Sequence, residues 1–304
     1  MKTTPPGGLT WREERLIDAR YTLAERCWGR KDLAWNHSVF CSVFLPRRNP
    51  GDSTRVWTRE CGGVSLRVEA GATQVADGSW VDVGLPYGPR ARLVLIHLFG
   101  EAIKHQSPIV EVDTSFTSFA RSLGLSTTGR NLRTLRDQTI RLSTMGMRIG
   151  KHYGTHADQF RGPVFDSFRV EFPRAPGQLG LWSSVVQFSP KFYDSLKDSA
   201  VPVRHTALQA LKHSSRCLDL YLWSSYRAWR LKRPLVLSWR HLRQQFGVET
   251  QNLPSFRRRF TQAFKQVATV YPELNFTLDK KALTLMPSRP PVPRAARRIG
   301  GASS

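Results

Sequence analysis

Hydrophobic and polar residues follow two periods along this chain, one typical of helices and one typical of strands. Apolar residues at helical spacing predict a helix within residues 11–28. Residues 39–45 form an apolar run that predicts a strand, and residues 64–68 alternate as a half-buried strand does. Since Asp77 and Gly78 are turn residues, we predict that residues 38–86 form a small β-rich element.

After residue 86 the pattern predicts longer helices separated by short strands. Thr114 or Ser115 is placed to cap the second of these helices, and Gly124 to end it. The last two strands are predicted to pair as a hairpin. The predicted order is helix, strand, helix, helix, strand and strand, at residues 90–104, 108–112, 116–123, 131–144, 147–153 and 165–172.

The same order then recurs. Its elements are helices at 205–213 and 215–230, a strand at 234–238, helices at 239–246 and 254–270, and a hairpin of 275–278 with 282–285. Because this is the order of a winged helix, the sequence predicts an α+β protein with tandem winged-helix domains preceded by the β-rich element. The predicted parts are a partly helical segment 1–37, the β-rich extension 38–86, domains 87–200 and 201–286, and a basic disordered tail 287–304.

Charge adds a class of partner to this picture. The chain has 304 residues and a net charge of +23. Residues 203–304 hold 19 basic and 4 acidic side chains, a net charge of +15, while residues 1–202 carry +8. So strong a positive field favours polyanions, because binding releases their condensed counterions. DNA, RNA, ribosomes and anionic membranes all satisfy this condition.

Arginines mark one face of the predicted helix 131–144. Its apolar side is formed by Leu132, Leu135, Thr139 and Leu142, whose spacing places them on one face. A helix that follows a tight turn and carries arginines opposite its apolar side suits the major groove of DNA, where the planar guanidinium matches O6 and N7 of guanine. The alternative is a solvated basic face. The arginines are Arg130, Arg133, Arg136 and Arg141.

The predicted helix 254–270 carries a denser set of the same kind. Phe256, Phe260, Phe264 and Val267 form its apolar face. Since successive helical residues lie about 100° apart, three adjacent arginines cannot all enter one groove, and some must contact phosphates or solvent. The candidate DNA-binding residues here are Arg257, Arg258, Arg259, Gln262 and Lys265. Lys280 and Lys281 in the following hairpin turn are candidates for a phosphate contact, or are ordinary solvated turn residues.

Signals for catalysis, metals or cofactors are weak. The four cysteines are far apart and form no CxxC pair, so we expect reduced thiols. His152 and His156 have no accompanying carboxylate cluster. Residues 124–131 have the glycine spacing of a phosphate loop but lack its lysine. We therefore expect no enzyme activity, no catalytic residue, no metal and no cofactor.

Two further features concern location. The start of the chain has no apolar segment of a signal peptide, and no run approaches 18 apolar residues. We therefore expect a cytoplasmic protein with no membrane contact.

Short motifs that follow one another along the chain resemble a known family. They are Pro86-Tyr-Gly-Pro-Arg-Ala-Arg-Leu93, Phe119-Ala-Arg-Ser-Leu-Gly-Leu125, residues 128–138, Phe188-Ser-Pro-Lys-Phe-Tyr193, Val201-Pro202, Leu218-Asp-Leu-Tyr-Leu-Trp223, Trp239 and Gln245-Phe-Gly247. Together they are similar to plasmid RepA-type replication initiators, over about residues 38–286. Each motif alone is weak, and it is their ordered series that is specific.

The resemblance implies tandem winged helices that bind direct repeats, called iterons, at a plasmid origin. It also implies that monomers open the origin and recruit the host helicase and DnaA, while dimers repress the initiator's own promoter. The DNA contacts of the family correspond here to the third helix of each winged unit, residues 130–141 and 257–265. Three alternatives stay open: a winged-helix transcriptional repressor without initiator activity, a relaxase or nuclease, and an RNA or ribosome binder.

Overall fold

A computed structural model describes residues 10–25, 32–74, 77–153, 156–161, 164–169, 184–247 and 252–292, with a mixed α+β fold. The chain divides into two compact units. We call Trp35–Val201 the central unit, and Met1–Ala34 together with Pro202–Ser304 the split unit. No helix of the described residues combines the length and the apolar character needed to cross a membrane.

Helices and strands are interspersed along the chain. The helices are α1 (Trp11–Glu25), α2 (Gly88–His105), α3 (Phe116–Ser122), α4 (Gly129–Thr144), α5 (Pro190–Ser199), α6 (His205–Leu211), α7 (Ser215–Arg227), α8 (Trp239–Phe246) and α9 (Leu253–Val270). The strands are β1 (Leu33–His37), β2 (Val56–Cys61), β3 (Val64–Glu69), β4 (Ala72–Gln74), β5 (Trp80–Asp82), β6 (Ile109–Glu111), β7 (Gly146–Tyr153), β8 (His156–Arg161), β9 (Phe165–Arg169), β10 (Val185–Phe188), β11 (Ala200–Arg204), β12 (Leu235–Ser238), β13 (Phe276–Leu278) and β14 (Ala282–Leu285).

Aromatic rings form the core of the central unit. Phe99 of α2, Phe188 of β10 and Phe192 of α5 are fully buried, and their ring centroids are 5.5–5.8 Å apart. Such offset and tilted ring pairs add to the stabilisation that burial provides. Phe119 of α3 is also buried, and its ring lies 5.5 Å from that of His97, which packs this short helix on α2. The Ser115 side chain caps α3, as predicted, by accepting a hydrogen bond from the Ser118 amide.

The strands of the central unit pair differently from the prediction. The strands expected at residues 147–153 and 165–172 were predicted to form one hairpin. Instead, β7 pairs with β3 and β8, in the order β2-β3-β7-β8, and β9 pairs with β10, in the order β6-β10-β9. The β3–β7 register sets Leu66 opposite Ile149, and both residues are buried. Burial of this shared apolar face therefore joins strands about 80 residues apart in the chain.

A second correction concerns residues 39–45, which the sequence predicted as a strand. Ser38–Cys41 is a 3₁₀ helix, and residues 42–45 follow it without regular structure. Val39, Cys41 and Val43 are all 0–1% exposed. The apolar run is therefore enclosed on all sides, so burial in this segment needs no strand.

The split unit has a sheet with the same arrangement as the β6-β10-β9 sheet. Its order is β12-β14-β13, so in each of these two sheets the first strand in the chain lies at an edge and the last strand lies in the centre. α9 packs on α7 and α8. Phe256, Phe260 and Phe264 on one face of α9 are 0% exposed, which confirms the predicted apolar face of this helix.

The split unit also contains α1, which packs against α6 and α9. Leu16, Ala19 and Leu23 of α1 are buried. Nearby, the Asp32 carboxylate accepts hydrogen bonds from the Thr206 amide at 2.8 Å and from Arg204 Nε at 2.8 Å. Of the predicted N-terminal segment 1–37, the described residues up to Ala34 therefore pack with residues from the second half of the chain.

Residues 287–292 are packed, although the sequence predicted a disordered tail from residue 287. The Tyr271 hydroxyl donates to the Arg289 carbonyl at 2.7 Å, and Val292 is 0% exposed. A buried apolar side chain holds this part of the chain because its exposure to water would cost free energy. The remainder of the predicted tail, residues 293–304, lies outside the described residues.

Candidate nucleic-acid interface

α4 presents one buried and one exposed face. Leu135, Gln138, Thr139 and Leu142 are buried, and Leu132 is half-buried. The helix begins at Gly129, two residues earlier than predicted, after Thr128 at the N-cap position. Its exposed face carries Arg130, Arg133 and Arg136.

Arg141 differs from the other three arginines. Its side chain is only 12% exposed, and its Nε donates to Asp137 Oδ1 at 2.9 Å. Its Nη1 donates to the Leu85 carbonyl at 3.2 Å, and the guanidinium lies 5.3 Å from the centre of the Tyr87 ring. Arg141 therefore holds the segment before α2 against α4. We correct the prediction here, because these contacts remove Arg141 from the exposed arginine face.

A buried glutamine fixes α4 to the start of α2. The Oε1 of Gln138 accepts a hydrogen bond from the Tyr87 amide at 2.7 Å, and Gln138 is 1% exposed. Tyr87 is the N-cap residue of α2. A buried amide needs such a partner, because an unsatisfied donor costs free energy. The sequence analysis included Gln138 only as the last residue of the motif 128–138. Its contact was missed, since a glutamine between two predicted apolar positions gives no signal of a partner 51 residues away.

Two residues mark the start of α9, one through an N-cap hydrogen bond and one as a proline in the first turn. The Asn252 side chain accepts a hydrogen bond from the Ser255 amide at 2.9 Å, and Pro254 lies in the first turn, where its missing amide proton costs nothing. The buried phenylalanines turn the opposite side of the helix outward. Exposed on that side are Arg258, Arg259, Gln262 and Lys265.

Arg257 is half-buried and joins α9 to two neighbouring elements. Its guanidinium lies 5.5 Å from the centre of the Trp239 ring, and its Nη1 donates to the Lys280 carbonyl at 3.4 Å. Trp239, in the first turn of α8, donates from Nε1 to the Asp279 carbonyl at 3.2 Å. The two side chains thus connect α8, α9 and the β13–β14 turn into one surface. Trp239 entered the sequence analysis only as a motif residue, and its bridging position was missed.

The β13–β14 turn is held by its own aspartate. The Asp279 carboxylate accepts hydrogen bonds from the Lys281 amide at 2.6 Å and from the Ala282 amide at 2.8 Å. These two hydrogen bonds lower the pKa of Asp279 below its ordinary value. Lys280 and Lys281 are exposed at the tip, where the sequence predicted them.

The chemistry that this surface offers is positive charge and hydrogen-bond donors. α9 contains no acidic residue, so nothing within the helix neutralises its arginines. Arg240, exposed in the first turn of α8 beside Trp239, adds a cation that the sequence analysis did not select. Planar guanidinium groups suit base edges and phosphates, which are the acceptors of a nucleic acid.

Metal-ligating side chains are not clustered in the part of the chain that the structure describes. Among the described residues, no three His, Cys, Asp or Glu side chains are grouped so that they could hold a metal ion. The side chains of His152 and His156 lie outside what the structure describes. Cys41, Cys61 and Cys217 are thiols, and Cys27 is outside the described residues.

Comparison with known proteins gives one family and one related fold. A family model described as plasmid encoded RepA protein matches residues 85–241. The fold is similar to that of domains 2 and 3 of RctB, with 12% sequence identity and a TM-score of 0.51, covering 82% of this chain and 96% of that chain. A second structure of the same RctB domains has 11% identity, a TM-score of 0.50 and the same coverage. No curated protein matches this chain. At these identities the RctB likeness concerns the fold alone.

Proposed function

Because the chain belongs to the family of plasmid-encoded RepA replication proteins, we propose that it initiates plasmid replication by binding direct repeats at the origin through α4 and α9. The family supports the replication-initiator role. The exposed arginine face of α9, formed opposite a row of buried phenylalanines, is the observation that carries the DNA-binding part of the proposal.

In this proposal each unit contains a winged helix. Two observations support it: the repeated order of helix, strand, helix, helix and strands, and the shared placement of the last strand at the centre of each three-stranded sheet. α4 and α9 are then the helices that enter the major groove, and the Lys280–Lys281 turn contacts the adjacent backbone. β2 and β3 form a β-rich extension packed on the first winged helix, through the pairing of β3 with β7.

The direct contacts are assigned to the exposed cations and the exposed glutamine. Arginine fits guanine and glutamine fits adenine in the major groove, and lysines at a turn fit phosphates. Arg257, which contacts Trp239 and Lys280, positions the turn relative to α9 as well as adding charge. The proposed set is Arg130, Arg133, Arg136, Arg257, Arg258, Arg259, Gln262, Lys265, Lys280 and Lys281.

The remaining parts of the proposal come from the family resemblance. The bound protein opens the origin and recruits the host helicase and DnaA, and a dimeric form represses its own promoter. It works in the cytoplasm, needs no cofactor and catalyses no reaction. Nicking of supercoiled origin DNA in the presence of Mg²⁺ would reveal a nuclease activity and would contradict the last of these points.

Footprinting of the full chain on the DNA that flanks its gene tests the proposal. We expect a series of protected direct repeats. A double variant with Arg258→Ala and Arg259→Ala should lose this protection. The matched control is Arg227→Ala, which changes an exposed arginine outside the proposed set and should keep the protection. A single protected palindrome would indicate a repressor, and no protection would contradict DNA binding.

Competition separates DNA from RNA binding. Structured RNA of matched length and concentration should displace the origin duplex only weakly. Stronger displacement by RNA than by the unlabelled origin duplex would favour the RNA-binding alternative. Maintenance of a plasmid that carries the origin, with this chain supplied in trans, then separates initiation from simple repression.

A further inference from the structure

The motif Pro86-Tyr-Gly-Pro-Arg-Ala-Arg-Leu93 has no part in the proposed contacts, yet it contains two arginines in different surroundings. Arg92 is 5% exposed, and its guanidinium donates to the carbonyls of Leu45, Pro46 and Gly88 at 2.7–3.1 Å. These three hydrogen bonds join residues 45–46 to the first turn of α2. Arg92 is therefore structural.

Arg90, two residues earlier, extends to α4 instead. Its Nη2 donates to Asn131 Oδ1 at 2.6 Å, and the Asn131 amide group donates in turn to the Ser126 hydroxyl. Asn131 is the neighbour of Arg130 in the first turn of α4. The guanidinium of Arg90 is thus fixed at the first turn of α4, where its acceptor Asn131 directly follows the exposed Arg130.

The positive charge of Arg130 acts on Arg90. Burial lowers the pKa of Arg90, and the positive charge of Arg130 lowers it further. Within the ranges that the structure describes, neither guanidinium forms an ion pair with an aspartate or a glutamate, and Arg90 Nε has no hydrogen-bond acceptor. Like charges held together in this way destabilise each other, and a bound anion would relieve the repulsion.

We propose that Arg90 and Arg130 together bind one phosphate of the DNA backbone next to the bases that α4 contacts. Guanidinium groups are suited to this because their planar N–H groups bind two phosphate oxygens at once. The inference rests on the proposed function, and it adds a residue of α2 to contacts that were assigned to α4, α9 and the β13–β14 turn. In this view, the two arginines of the motif have separate tasks: Arg92 holds the fold and Arg90 binds DNA.

The first test compares the full chain with an Arg90→Gln variant on an origin duplex and on a random duplex of equal length. Loss of one phosphate contact should weaken binding to the two duplexes by the same factor. It should also lower the steepness with which log affinity falls with log salt concentration, the salt slope, by about 0.9. The affinity ratio of parent to variant should therefore fall about 3.5-fold between 50 and 200 mM salt. An Arg90→Lys variant should keep most of the slope, and an Arg121→Ala variant, at an exposed arginine of α3, should keep all of it.

A second test separates phosphate binding from positioning of α4. If Arg90 acted only through its hydrogen bond to Asn131, an Asn131→Ala variant would reproduce the loss seen with Arg90→Gln. We expect instead that Asn131→Ala keeps the salt slope of the parent. Ethylation of backbone phosphates should identify one phosphate whose modification weakens the parent protein but not Arg90→Gln.

The possible outcomes are distinct. If the parent binds DNA and Arg90→Gln leaves the slope and the ethylation pattern unchanged, this inference is wrong and the proposed function stands. If the parent binds neither duplex, the proposed function is wrong and the inference with it. Thermal melting of each variant shows whether the fold is intact. If Arg90→Gln does not fold, Arg90→Lys decides. Ethylation of the identified phosphate should weaken this variant less than it weakens the parent, because a lysine cannot bind two oxygens in the same geometry, and an equal effect would overturn the inference.

Discussion

α4 of the central unit and α9 of the split unit expose similar arginine faces but are held in place differently. α9 is held by packing, since three phenylalanines in a row are fully buried and two of these rings stack 5.6 Å apart. α4 is held partly by polar contacts, because Gln138 and Thr139 are buried beside two leucines. The exposed pattern of a helix therefore does not show what supports it.

The two helices also differ in how their charge is used. In α4, Asp137 forms an ion pair with Arg141, so one of the four predicted arginines is occupied within the fold. α9 has no acidic residue, and its Arg257 lies 3.4 Å from the Lys280 carbonyl and 5.5 Å from the centre of the Trp239 ring. We therefore expect α9 to depend on its core for stability and to keep more of its charge for DNA.

The largest expected effect is the loss of stability that follows from disrupting the α9 core. Phe260→Ala should cost about 3–5 kcal/mol of unfolding free energy, because the ring packs against Trp239, Phe246 and two further phenylalanines. Urea unfolding of the full chain measures this loss. Arg259→Ala on the exposed face is the control and should change stability by less than about 0.5 kcal/mol. A loss for Phe260→Ala as small as the control's would show that packing does not hold α9.

A smaller loss is expected when the polar support of α4 is removed. Gln138→Met keeps the length of the buried side chain but leaves the Tyr87 amide without its acceptor, at a cost of about 1–3 kcal/mol. Thr139→Val is the matched control, since the Thr139 hydroxyl bonds only to the Leu135 carbonyl of its own helix. Equal effects of the two substitutions in urea unfolding would contradict the special role of Gln138.

The next prediction concerns binding rather than stability. Arg258→Ala or Arg259→Ala in α9, and Arg133→Ala in α4, should each cost about 1–3 kcal/mol of DNA-binding free energy if the arginine contacts a base. Each should also relax sequence preference at one position, and the position should differ between the two helices. Binding to a library of mutated sites measures both effects. Unchanged preference for both α9 variants would exclude base contacts by Arg258 and Arg259.

The smallest effect is expected at the β13–β14 turn. Lys280→Ala should weaken all duplexes alike and lower the salt slope by about one unit, because a phosphate contact carries no sequence information. Arg289→Ala, at an exposed arginine outside the turn, should leave the slope unchanged. Binding titrations at several salt concentrations provide the measurement. A change of sequence preference in Lys280→Ala would indicate a base contact instead.

Much of the split unit could be predicted from the sequence because its signals are local. The phenylalanines of α9 repeat every four residues, Asn252 and Pro254 mark its start, and Asp279 marks the turn between β13 and β14. Each of these features acts over a few residues. The structure therefore places these elements where the sequence predicted them.

The features missed in the central unit depend on contacts far apart in the chain. The pairing of β7 with β3 is set by burial of Ile149 opposite Leu66, which no local pattern encodes. The contact of Arg141 with the Leu85 carbonyl spans 56 residues. Periodicity placed Arg141 off the apolar face of α4, but it contains no information on which segment covers that position.

The split unit combines the first residues of the chain with its last third, so it can be completed only late in synthesis. Asp32 precedes its partner Arg204 by 172 residues. At about 5–20 residues per second, a ribosome synthesises the two residues about 9–34 s apart. Throughout that interval the nascent chain carries α1 without the helices that cover its apolar side, while the whole of residues 35–201 is completed first. Translation therefore imposes an order on folding: the middle of the polypeptide is finished before its beginning has a place to pack.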